Sequence, residues 1–113
     1  MGQYFYIVNL DKKEFLHPHK LGSGLKFWEI LSTKVPQVLA YLLRQSNESG
    51  GGDITAGKTN GRWARDRIVI IGDYDESDLY TIANETYTDI SLLVRKDFED
   101  LEDFSLGKRW DKD

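Results

Sequence analysis

The chain combines short apolar runs that alternate with period two and longer stretches whose apolar residues recur every three or four positions. Residues 4–10 are aromatic and β-branched on both faces, which predicts a strand that is covered on both sides. A polar turn follows, and residues 14–17 can return as its antiparallel partner, so the chain is predicted to begin with a hairpin. Helical spacing over residues 36–44 predicts the first clear helix.

The second half of the chain contains its longest apolar run, at residues 67–73. A nearly continuous run of this kind is typical of a central, buried strand, and Trp63 and Ala64 are predicted to form a short strand before it. Possible caps at residues 75–78 predict a short helix. Apolar residues at helical spacing between residues 90 and 101 predict a longer one.

These elements predict an α+β fold, with a mainly antiparallel sheet of three to five strands and helices packed on it. The chain has 113 residues, of which 40% are hydrophobic and 30% charged. This length and composition suit one globular domain. We expect the domain to span residues 1–107 and residues 108–113 to form a disordered tail.

Charge and composition narrow the possible partners. Fifteen basic and 19 acidic residues give a net charge of −4, so general nucleic-acid binding is not expected. The chain has no cysteine, which excludes disulfides and thiolate chemistry. The apolar run near the N-terminus is too short for a signal peptide or a membrane span. We therefore predict a cytoplasmic protein with no membrane association and no cofactor.

Residues 52–59 read GDITAGKT and match the phosphate-binding pattern G-x-x-x-x-G-K-[ST]. A working P-loop needs a strand running into its first glycine and a helix starting at its Lys-Ser/Thr step. Here the residues before Gly52 are polar, and Thr59 is followed by Asn60-Gly61, which is a turn signal. We therefore interpret the match as a glycine-rich loop rather than a nucleotide site.

Weaker anion and ligand sites remain possible in this region. Consecutive glycine N–H groups can form a nest for an anion with a lysine nearby. The Trp-Ala-Arg-Asp-Arg segment can stack on a ring and contact a phosphate, and a carboxylate at the end of the apolar strand can act as a base or a metal ligand. The candidate ligand-binding residues are Gly50, Gly51, Gly52, Lys58, Trp63, Arg65, Arg67 and Asp73.

The two histidines form the candidate metal site. His17 and His19 are one residue apart, so on an extended segment both side chains point to the same face. A complete site would need carboxylates from elsewhere in the chain. The alternative is a surface loop in which a histidine bonds to the backbone.

Several segments together resemble a loose group of small uncharacterised proteins from bacteria and their mobile elements. The likeness covers most of residues 2–91 and is carried by GQYF, VNLDK, FLHPHK, GGGD, GRWA, DRIVI and GDY. The group has no assigned activity, so the resemblance implies none. Its members carry the triple glycine and the Trp-Ala segment without the Gly-Lys-Thr step, which argues against nucleotide hydrolysis.

The predicted function is therefore a non-catalytic binding or protein-interaction module, with an unknown protein or small molecule as its partner. No catalytic residue is assigned. The alternative is a binder or hydrolase of a phosphate-bearing small molecule, assisted by a metal ion. A structural role in a homo-oligomer is a third possibility.

Overall fold

The computed structural model describes residues 2–46 and 50–111, which form one sheet with helices on both faces. The sheet has four strands in the order β3-β1-β2-β4. The predicted α+β class is confirmed. The sheet is mixed, because the short pairing of β2 with β4 is parallel whereas the two longer pairings are antiparallel.

The elements follow one another in a simple order. The first two strands are β1 (Phe5–Asn9) and β2 (Glu14–Leu16), followed by a 3₁₀ turn at Pro18–Leu21 and by helices α1 (Phe27–Ser32) and α2 (Val35–Leu43). After the glycine-rich loop come β3 (Ile68–Gly72), α3 (Leu79–Thr86), β4 (Thr88–Asp89), α4 (Ser91–Glu99) and a second 3₁₀ turn at Glu102–Phe104. The predicted hairpin and the predicted 36–44 helix are confirmed.

Asn9 explains why the hairpin turns where it does. Its buried side chain accepts the N–H groups of Asp11 at 2.9 Å and Lys12 at 2.8 Å. The same amide donates to Asp66 at 2.8 Å. An asparagine that caps its own turn in this way closes the loop without another element, so β2 returns directly beside β1.

The alternation of side chains along β1 produces two separate cores. Ile7 faces α2 and α4, whereas Tyr6 and Val8 face α3 on the other side of the sheet. The Tyr6 ring stacks on Tyr80 of α3, with 4.1 Å between the ring centroids. The prediction that the first strand is covered on both sides is confirmed.

Strand β3 differs from its predicted position. Its apolar run was expected in the centre of the sheet, but it lies at the edge, paired only with β1 among the described residues. Ile70 is 40% exposed there. The prediction was wrong because apolar residues show only that a strand can be buried. The position of the strand in the sheet depends on which distant segments pair with it.

The short strand predicted at Trp63 and Ala64 is also absent. These residues belong to a series of tight turns, in which Ala64 N–H donates to Gly61 and Asp66 N–H donates to Trp63. Trp63 is completely buried, and its indole N–H donates to Glu14 at 2.9 Å. A large buried ring with a satisfied polar atom anchors the turns to the hairpin.

The end of the chain makes defined contacts through residue 110. Trp110 donates its backbone N–H to the carbonyl of His19 at 2.7 Å, and the two rings stack with 6.0 Å between their centroids. The expected tail began at residue 108. Its last two residues, 112 and 113, lie outside the part of the chain that the structure describes.

Among residues 2–46 and 50–111, no helix has the length and hydropathy needed to cross a lipid bilayer.

Candidate functional site

The segment after residue 50 packs between α2 and α4 and forms one wall of a pocket. The Arg44 guanidinium at the end of α2 contacts the Asp53 carboxylate at 2.7 Å. The Asn60 amide donates to the carbonyls of Ile54 at 2.9 Å and Ala56 at 3.2 Å. These bonds hold residues 53–60 in a compact loop, and residues 47–49 before it lie outside the described chain.

The Gly-Lys-Thr step of the P-loop pattern, at residues 57–59, lies against a carboxylate of the same chain. Asp97 of α4 accepts the backbone N–H of Thr59 at 2.7 Å and its hydroxyl at 2.6 Å. The Tyr41 hydroxyl of α2 donates to the same oxygen at 2.9 Å. Thr59 itself is completely buried. The Gly-Lys-Thr step therefore binds an internal anion.

The flanks of the loop agree with the interpretation of GDITAGKT as a glycine-rich loop. Among the described residues, none of 44–46, 50 and 51 before Gly52 belongs to a strand, and the residues after Thr59 form turns rather than a helix. A P-loop depends on a helix N-terminus for its phosphate site. Without that helix, residues 52–59 lack the geometry that gives a P-loop its affinity for phosphate.

The charges of this network are shifted by their surroundings. Burial opposes the ionised form of Asp97, but hydrogen bonds from Thr59 and Tyr41 outweigh it, so the pKa of Asp97 lies below its ordinary value. Burial and the neighbouring Asp97 carboxylate both raise the pKa of Tyr41. Asp97 is thus held as an ionised acceptor and Tyr41 as a neutral donor.

The pocket beside this network has a volume of about 370 Å³, and we call it the loop pocket. Its walls are mainly apolar and come from Ala40, Tyr41, Phe98, Leu101 and Phe104. Arg44, Asp53 and Asn60 supply polar groups. The buried Oδ1 atom of Asn60 has no hydrogen-bond partner among the described residues. An apolar pocket with a few polar groups is the usual form of a small-ligand site.

The glycines and the lysine of the predicted ligand site lie at or near this loop. Gly52 lines the loop pocket, while Gly50 and Gly51 are exposed, with no atom within 4 Å of a Cβ added at either position. The side chain of Lys58 is exposed. The predicted glycine nest remains a prediction, whereas the backbone at residues 58 and 59 already binds Asp97.

The remaining predicted ligand residues lie apart from the pocket. Trp63 is buried against Glu14, and exposed Arg65 adopts a left-handed conformation with φ of 70°. Arg67 forms an ion pair with Asp11 at 2.8 Å, and Asp73 accepts the N–H of Tyr4 at 3.0 Å. Arg67 and Asp73 flank opposite ends of β3, which separates them by about 20 Å at the usual rise of a strand.

His17 and His19 lie next to each other, with 5.1 Å between their ring centroids. However, the Nδ1 atom of His17 accepts the backbone N–H of His19 at 3.3 Å, as the alternative interpretation predicted. Nearby Asp89 pairs with Lys20 at 2.6 Å. Within residues 2–46 and 50–111, no three histidine or acidic side chains cluster as metal ligands. Burial lowers the pKa of His17.

Apart from Gly52, the sequence did not point to the residues that build the loop pocket. Tyr41 and Asp97 each lay within a predicted helix, and neither was a candidate site residue. Asp97 and Thr59 are 38 positions apart, so no local pattern links them. The one local signal was Tyr41, a residue with a polar hydroxyl that lies beside the apolar stripe of α2.

Comparisons with known proteins identify no relative. No protein-family model matches the chain, and neither the curated proteins nor the solved structures contain a significant match.

Proposed function

We propose that this protein is a non-catalytic binding module that receives an apolar group in the loop pocket. The group we expect is an aromatic ring that carries one N–H or O–H donor. The observation that carries the proposal is Asn60, which lines the pocket and whose buried Oδ1 lacks a hydrogen-bond partner among the described residues. A buried acceptor without a donor costs about 1–3 kcal/mol, and a ligand donor would recover part of that cost.

The state of Asp97 supports a binding role rather than catalysis. A general base works best when its pKa lies near the working pH. Asp97 already accepts hydrogen bonds from Thr59 and Tyr41, and its pKa is lowered. It therefore serves as a structural acceptor that holds the loop against α2 and α4.

Charge at the loop pocket disfavours the phosphate-bearing ligand. Arg44 is already bound to Asp53, and this ion pair offsets the positive charge at the pocket. The main-chain donors of the Gly-Lys-Thr step face Asp97. A phosphate would have to displace one of these carboxylates, whereas a neutral aromatic ring would not.

The test uses two small probes, one with an N–H donor and one in which a methyl group replaces that hydrogen. Indole and 1-methylindole are titrated into the ¹⁵N-labelled protein, and chemical shifts are followed by NMR. Indole should shift the resonances of Tyr41, Asn60 and Phe98, and its affinity should exceed that of 1-methylindole by about tenfold for one hydrogen bond. Equal affinities would contradict the role of Asn60, and shifts confined to other surfaces would contradict the site.

Two variants sharpen this test. Ala40→Trp places a ring at the pocket wall and should weaken indole binding at least about tenfold, whereas Leu92→Trp, on an exposed position of α4, should leave it unchanged. Inorganic phosphate and ATP form the competing arm. Shifts at residues 50–59 that saturate with phosphate and vanish in Lys58→Ala would support the alternative function.

A further inference from the structure

Strand β3 leaves one backbone edge open in the described structure. Leu10 N–H donates to the carbonyl of residue 67, and Asp73 N–H donates to Tyr4, both at 2.9 Å. Bonds along an antiparallel pair alternate, so the odd-numbered residues of β3 face β1. Ile68 and Ile70 therefore direct their N–H and C=O groups to the other side, where the sheet has no further strand among the described residues.

An apolar surface accompanies this open edge. Ile70 is 40% exposed, and the Phe27 ring, which is 45% exposed, packs 5.6 Å from Phe5 on the neighbouring strand. The sequence IVIIG of β3 is of the kind found in strands with neighbours on both sides. An exposed, apolar strand edge is a template for pairing with another strand.

The charged residues at the two ends of β3 have opposite signs, so two antiparallel copies of the strand can pair them. Arg67 lies three residues before Ile70, and Asp73 lies three residues after it. If two copies of β3 run antiparallel and meet at Ile70, Arg67 of each copy, whose side chain stays 73% exposed although it pairs with Asp11, lies opposite Asp73 of the other. Opposite charges at directly facing positions stabilise a strand pair.

We propose that the partner of this edge is a second copy of the chain. The two β3 strands pair antiparallel about a two-fold axis at Ile70 and join the sheets into one of eight strands. The same patch then serves both copies, as a two-fold interface requires. The apolar run that occupies the edge of one copy becomes the centre of the shared sheet.

The register follows from the same groups. Only the even-numbered residues of β3 direct their N–H and C=O groups outward, so an even-numbered residue of one copy must face an even-numbered residue of the other. A given residue can therefore change its partner only in steps of two residues. A shift in one direction would place Arg67 opposite Ile71, and a shift in the other would place it opposite Asp75, beyond the end of β3. Only the register about Ile70 places Arg67 opposite Asp73 in both copies. Gly72 contributes less than Ile70, because its carbonyl already accepts the N–H of Asp75 at 3.1 Å.

The first experiment measures mass in solution. Sedimentation equilibrium should give about twice the chain mass of 13.1 kDa for the wild type. Ile70→Lys places two ammonium groups together at the axis and should give the mass of one chain. Ile82→Lys is the matched control and should stay dimeric, since Ile82 is 43% exposed on α3, which packs on the face of the sheet opposite Ile70. A wild type that sediments as one chain at 100 μM would overturn the proposal.

The second experiment tests the register with charge reversal. Arg67→Glu alone and Asp73→Lys alone should each be monomeric, because like charges then face each other. Mixed together, the two variants should form a heterodimer in which both facing pairs are again opposite. Failure of the mixture to associate, with both variants giving the wild-type circular dichroism spectrum, would overturn the register. Ile70 does not line the loop pocket, so Ile70→Lys should bind indole like the wild type whether or not the protein dimerises.

Discussion

The glycine-rich loop and strand β3 are separated by only a few residues, but they use their backbone donors in opposite ways. The N–H of Thr59 in the loop binds Asp97 inside the protein. Ile70 in β3 directs its N–H to the open edge of the sheet. The loop carries the letters of a phosphate site but is closed by its own chain, whereas the strand that resembles an interior element is exposed. A motif or a hydrophobic run describes what a segment can bind, and the fold decides what it does bind.

Trp63 connects these two regions, and its removal should have the largest effect. Trp63→Ala empties a completely buried site and leaves Glu14 without the indole donor. We expect a loss of about 3–5 kcal/mol in the free energy of unfolding, measured by urea denaturation with circular dichroism. Trp28→Ala is the control, because Trp28 is 66% exposed and should change the value by about 0.5 kcal/mol at most. Equal losses would show that the turns do not depend on Trp63.

Asp97 is the acceptor that closes the loop, and Asp97→Asn should have the next largest effect. The amide cannot accept all the donors that face the carboxylate, so we expect a loss of about 1–3 kcal/mol at neutral pH. Asp100→Asn, at the exposed end of the same helix, should lose little. The measurement is the unfolding free energy of each variant against pH.

The pH dependence of this loss has a defined sign. Folding lowers the pKa of Asp97 from its ordinary value of 3.8. A carboxylate with a lowered pKa stabilises the fold above its unfolded pKa, and this contribution disappears as the pH falls through the lower folded pKa. The difference between wild type and Asp97→Asn should therefore be constant above about pH 5 and shrink below pH 4. A difference that grows on acidification would contradict the role of Asp97.

Two glycines of the loop should respond differently to the same substitution. A Cβ atom at Gly57 would lie 1.7 Å from the Tyr41 hydroxyl oxygen, and φ there is 107°. Gly57→Ala should therefore lose about 2 kcal/mol. A Cβ atom at Gly51 would have no other atom within 4 Å, so Gly51→Ala should leave the free energy of unfolding unchanged or raise it by up to about 1 kcal/mol. Thermal unfolding compares the two, and equal losses would mean that the loop is not packed at residue 57.

Local patterns predicted those parts of the fold that depend on local contacts. The hairpin followed from alternation and a polar turn, and α2 followed from its helical spacing. The order of the strands did not follow, because β3 pairs with a strand more than 60 residues earlier. An edge strand and a central strand can have the same composition when the edge has apolar surroundings.

The loop pocket was beyond prediction for a related reason. Its polar groups lie on α2, on the loop and on α4, and each segment alone has an ordinary explanation. Asp97 looked like one more charge on a solvated helix, and Asn60 looked like part of a turn. Their roles arise only when the helices pack and exclude water from the groups between them.

The central position of the β1–β2 hairpin has a consequence for how the chain reaches its native state. Asn9 and Glu14 face each other across a short turn, but β1 and β2 gain their outer neighbours from residues 68–72 and 88–89. Both outer pairings require the closure of long loops, which is slow relative to the formation of a hairpin. We therefore expect the hairpin to form first and the sheet to grow outward from it, with β3 and β4 joining later.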